Sequence, residues 1–165
     1  MSKVLRVAGV VIACALLARG GCTVANMEYQ RRAIPAKLTT GIFYAEGSCG
    51  GLFSYQGAQV FNLKKRAIAA LKSEGLHFFN DIGSPANRAP HAYFSGTWQT
   101  TPLPDAAKPD GPLGNMYCAM GRSWRWPTGI PDALQHVGGF YQTAGGRTLI
   151  VLPQLGYVVA VASDR

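Results

Sequence analysis

The chain has 165 residues and a formal charge of +8, carried by 16 Lys and Arg against 8 Asp and Glu. With 48% hydrophobic residues and 15% charged ones, it is too apolar for a disordered polymer, and it is short enough for one domain after any leader. Three histidines and four cysteines leave few residues for a metal centre.

The N-terminal stretch carries Lys3 and Arg6 without an acid, then an apolar run from Val7 to Ala18, then small residues around Cys22. That order predicts a secretory signal peptide over residues 1–21. The run is shorter than the roughly 20 apolar residues that span a bilayer. In "ALLARGGC" the small residues before Cys22 resemble a bacterial lipoprotein signal, with Arg19 where that family has an aliphatic residue. "VIAC", ending at Cys14, fits the local pattern but leaves a very short apolar run. The resemblance implies a lipid on Cys22 as first mature residue, hence a periplasmic, membrane-anchored protein of the bacterial cell envelope. Without the leader cations Lys3, Arg6 and Arg19 the formal charge falls to +5, a surplus that suits an anionic neighbour such as lipid headgroups or cell-wall polymer.

Lipidation of Cys22 leaves Cys49 and Cys118 in the mature chain, and an oxidising compartment favours their pairing over two buried free thiols. Residues 22–40 show no clear period and predict a tether, followed by a single domain over 41–165. "TGIFYAEGSCGGLFSYQG" has two aromatic-rich runs around a Gly-rich middle, the composition of a hairpin. "AQVFNLKKRAIAALKSEG" places Val60, Leu63, Ala67 and Leu71 at helical spacing, with Phe61 and Ile68 beside them, and predicts a principal amphipathic helix over about 58–74. Lys64, Lys65 and Arg66 read as its solvated face.

"LHFFNDI" reads as a strand and "GSPANRAP" as an irregular loop. "HAYFSGTWQTT" alternates, with Ala92, Phe94 and Trp98 on one side, and predicts a half-buried strand. "PLPDAAKPDGPLG" carries four prolines and is expected as a long exposed loop. "NMYCAMG" is expected as a strand and "DALQHV" as a short helix. "GGFYQT", "RTLIVLP" and "YVVAVAS" form the clearest β signal, and their near-continuous apolar runs call for a covered sheet. The whole predicts an α+β domain with a mainly antiparallel sheet packed on the 58–74 helix.

Residues 125–165, "RWPTGIPDALQHVGGFYQTAGGRTLIVLPQLGYVVAVASDR", resemble the closing strands of serine β-lactamase and penicillin-binding-type hydrolases. The nucleophile motif of that family, Ser-x-x-Lys, is absent from this chain, so the resemblance implies architecture without its catalytic residues. There is no CxxC, no HExxH and no P-loop, and His77, His91 and His136 lie far apart. No metal or other cofactor is expected, nor nucleic acid as a partner. "EGSCGG" allows Cys49 to be read as a thiol nucleophile, the alternative to its disulfide.

"RSWRW" places Arg122, Trp124, Arg125 and Trp126 within five residues, a pairing of guanidinium and indole groups suited to sugars or to an acidic protein. The expected function is a non-enzymatic binding, inhibitor or immunity-type module for an envelope protein or cell-wall glycan. The alternative is a periplasmic hydrolase, through Cys49 or a degenerate serine β-lactamase-like domain. The oligomeric state is left open.

Overall fold

The computed structural model describes residues 28, 31–49, 56–84, 94–104 and 113–163. The expected signal peptide, Cys22, His91, most of "GSPANRAP" and the middle of the Pro-rich loop lie outside them.

The chain builds an open antiparallel sheet in an α+β domain, as its patterning predicts. In chain order the strands are β1 (Thr40–Cys49), β2 (Gln56–Leu63), β3 (Gln99–Thr100), β4 (Phe140–Ala144), β5 (Arg147–Leu152) and β6 (Tyr157–Ser163). The helices are α1 (Lys65–Glu74), α2 (Gly114–Arg122) and α3 (Ile130–Gln135). Across the sheet the order is β1-β2-β6-β5-β4-β3. An N-terminal hairpin and a C-terminal meander therefore meet where β2 pairs with β6, from Gln56↔Ser163 to Asn62↔Tyr157. The meander turns at Gly145 and Gly146, whose φ angles of 56° and 74° suit the two-residue turn that follows strand twist and that only glycine adopts at little cost.

Helices cover both faces of the sheet. On one face Phe61, Leu149, Val151 and Val158 pack with Ala67 and Leu71 of α1, and with Phe78, Phe79, Phe94 and Trp98. On the other, Val60, Ile150, Leu152 and Val159 pack with Met116 and Ala119 of α2, Ile130 and Leu134 of α3, and Trp126. Neighbouring residues of one strand point to opposite faces. Strands β5 and β6 are thus almost uniformly apolar because neither face meets water.

That two-sided burial corrects several expectations. The helix expected over 58–74 begins at Lys65, and Gln56–Leu63 is a central strand. Val60 and Phe61 look like neighbours on one helical face, yet they enter opposite cores. A β-branched and an aromatic residue fit a pleat well, and pairing with both β1 and β6 overrides the helical spacing. "NMYCAMG" is helical within Gly114–Arg122. Leu113, Met116 and Ala119 recur at three-residue intervals and all are buried, a helical pattern that the short window obscures.

"LHFFNDI" forms a 3-10 turn, Gly75–Phe79, and a further bend instead of a strand. Phe94 and Trp98 are buried as expected, but among the described residues of that segment only Gln99–Thr100 pairs as strand. Proline at 102 has no N–H to extend the ladder and marks an edge. Thr101 secures that edge by donating its hydroxyl to the His136 carbonyl at 2.6 Å and accepting the Gly139 N–H at 2.9 Å.

Ile34 and Leu38 are buried with the α1-side core. Chain within the expected tether is thus part of the folded domain.

Candidate interaction site

Helix α2 lies across β1 and is joined to it covalently. Cys49, the last residue of β1, is disulfide-bonded to Cys118, with Cα atoms 6.0 Å apart and a separation of 69 positions in sequence. The bond takes up the thiol that a nucleophilic reading of Cys49 requires.

Four residues beyond Cys118 the helix ends at Arg122, and the chain turns sharply. The Ser123 N–H donates to the Met120 carbonyl at 3.3 Å, and the Trp126 N–H donates to the Ser123 carbonyl at 3.2 Å. Trp126 then enters the core at 8% exposure, while Trp124 stands 93% exposed at the apex of the turn. The Arg125 guanidinium lies 5.7 Å from the centroid of the Trp124 ring, within the range of a cation–π contact. Arg122 and Arg125 are both exposed.

Of the four residues that the sequence brings together, three share this surface and Trp126 does not. Alternation in so tight a turn sends one indole inward and one outward, which spacing alone does not distinguish. The buried indole anchors the exposed one. With the disulfide upstream and Trp126 downstream, Trp124 sits on a segment fixed at both ends. Burying an aromatic ring of about 150–250 Å² at about 25 cal/mol per Å² corresponds to a gross transfer energy on the order of 4–6 kcal/mol. Leaving it in water forgoes that energy in the free protein.

Among the described residues no group of three or more His, Cys, Asp or Glu is placed to hold a metal. Nδ1 of His136 lies 2.8 Å from the carbonyl oxygen of Asp132, and Nδ1 of His77 lies 3.4 Å from Nδ2 of Asn80. Both contacts are local to one turn. No helix among the described residues is long and apolar enough to cross a membrane.

Three concavities among the described residues are further candidates. One, of 650 Å³, includes Leu76, Phe79, Asp81, Ser95 and Trp98 in its lining. A second, 300 Å³, lies at the β3–β4 edge among Gln99, Leu103, Tyr141 and Gln142. There the Tyr141 hydroxyl donates to Gln99 Oε1, and burial pushes the phenol's pKa up. The third, 240 Å³, is lined by Arg31, Arg32, Thr39, Thr40 and Lys64 among others. Sequence reasoning missed this cluster, because the two arginines lie over thirty residues from Lys64 and β1–β2 pairing brings them together.

No family model, curated protein or solved structure matches the chain.

Proposed function

We propose that the protein is a non-enzymatic binding module of the bacterial envelope, of the inhibitor or immunity type, and that it engages its partner through Arg122, Trp124 and Arg125. The observation that carries the reading is the 93% exposure of Trp124 on a turn held by the Cys49–Cys118 bond on one side and by buried Trp126 on the other. A rigid exposed aromatic beside arginines loses little conformational entropy on docking, and Trp and Arg are the residue types that dominate interface energetics. An acidic surface on an envelope protein suits two guanidinium groups, and a glycan face suits the indole. In this reading a signal peptide delivers the chain across the inner membrane, and a lipid on Cys22 holds it at the periplasmic side.

The test compares wild type with the double variant Trp124→Ala/Arg125→Ala. Both are immobilised and challenged with detergent extract of the envelope, and both are sedimented with purified peptidoglycan. Saturable capture of one partner by wild type, lost in a double variant of unchanged circular dichroism, is the expected result. Equal capture by the two proteins would remove the patch from the function.

A further inference from the structure

A cationic cleft occupies the opposite end of the N-terminal hairpin from the disulfide. It measures 240 Å³ and is lined by Arg31, Arg32, Thr39, Thr40 and Lys64, with Ile34 and Pro35. At roughly 30 Å³ per water molecule it holds about eight waters, room for a phosphate group with part of its hydration shell. Local pairing builds the cleft. Thr40 pairs with Leu63 at the base of the β1–β2 ladder, and the Lys64 N–H donates to the Thr39 carbonyl at 3.1 Å.

The charge in the cleft is only partly balanced. Glu28 accepts from Arg31 Nε at 2.8 Å and from Arg32 Nε at 3.3 Å. The hydrogen bond from Arg31 is the leading reason that its carboxyl titrates below the usual range. Two guanidinium groups thus share one carboxylate, and the exposed Lys64 has no ionic partner among the described residues. Two positive charges remain over, with two threonines beside them.

Helix stability does not account for this placement. Lys64 occupies the N-cap of α1, with Lys65 and Arg66 following and no acid in the first turn. Cations there oppose the helix dipole.

We infer that this cleft binds the phosphate of an anionic lipid headgroup and seats the domain against the bilayer. Charge complementarity supports a phosphate, and chain length supports a lipid as its source. This second step rests on the reading of Cys22 as the lipid anchor. Arg31 is nine residues from Cys22, and at 3.3–3.6 Å per extended residue it stays within about 30 Å of the membrane surface. Cations held near an anionic leaflet add to its attraction individually. The anchor supplies attachment and the cleft supplies orientation, leaving the Trp124 surface for a protein or glycan partner.

The test uses the chain from Thr23 to Arg165, which lacks both leader and anchor. Among the described residues no member of either core precedes Ile34, so this chain keeps every core residue described. Binding is measured by flotation with vesicles of phosphatidylcholine alone and with 30 mol% phosphatidylglycerol, for wild type and two charge-matched variants. Arg31→Gln/Lys64→Gln empties the cleft of two charges, and Arg66→Gln/Lys72→Gln removes two exposed charges from α1. Wild type is expected to prefer the anionic vesicles at least tenfold. The cleft variant loses about thirtyfold in affinity for them and the α1 variant less than threefold. Equal losses in the two variants would replace the cleft by diffuse surface charge and overturn the assignment. Binding of inorganic phosphate that the cleft variant abolishes, without preference for anionic vesicles, would overturn the lipid source. Neither result bears on partner capture through Trp124, which is read separately.

Discussion

Gly47 of β1 and Ala119 of α2 touch backbone to backbone. A Cβ built on Gly47 would lie 2.0 Å from the Ala119 carbonyl oxygen and 2.6 Å from its Cα. Helix α2 comes this close to the sheet only because residue 47 has no side chain, and the approach lies two residues from the disulfide that joins the same two elements.

Gly47→Ala is therefore expected to cost about 3 kcal/mol or more, the upper range for overpacking, because backbone and not a flexible side chain must move. Urea unfolding measures it. Loss of less than 1 kcal/mol would mean that α2 shifts freely on the sheet.

The covalent contact next to it is expected to contribute on the order of 4 kcal/mol, the chain-entropy value for closing a loop of 69 positions. Cys49→Ser/Cys118→Ser should lower the unfolding free energy by up to that amount. Reductant should reproduce the loss in wild type and leave the double variant unchanged. A reductant-insensitive wild type would show that the thiols are free.

The two indoles of "RSWRW" should behave as opposites. Trp126→Ala empties a core site and is expected to destabilise by about 3–5 kcal/mol, whereas Trp124→Ala should stay within about 0.5 kcal/mol of wild type. Acrylamide quenching supplies a second readout, since removal of Trp124 should eliminate most of the quenchable tryptophan fluorescence.

Tyr141 sets an alkaline limit. Burial raises its pKa, so the folded state holds the phenolic proton more tightly than the unfolded chain, whose tyrosines titrate near pH 10. Its contribution is fully present below about pH 10 and disappears as pH rises through the folded value. Tyr141→Phe should cost about 1 kcal/mol at pH 7, through loss of the hydrogen bond to Gln99. The difference between the two proteins should then shrink and reverse above pH 10. Urea midpoints from pH 7 to 11 test this, and a pH-independent difference would contradict it.

The meander was legible because its cues are local. β-branched runs, the glycine pair at 145–146 and the single Gly156 mark strands and turns within a few residues of themselves. The stretch from Gln56 to Leu63 was not legible, because burial on both sheet faces erases the period of two, and Val60, Leu63, Ala67 and Leu71 happened to match a helix. Helix α2 was missed for a related reason, its seven visible residues carrying too few turns to separate one period from the other.

Composition and local pattern determined that the chain forms an α+β domain with a mainly antiparallel sheet and marked residues 122–126 as a concentration of arginine and indole, whereas parity favoured pairing Cys49 with Cys118 only on the reading of Cys22 as lipidated. Only tertiary structure decided which indole faces water, that helices cover both faces of the sheet, and that Arg31, Arg32 and Lys64 share a cleft. Each of those depends on contacts between segments distant in sequence, where strand register and helix placement set the outcome and no local periodicity encodes it.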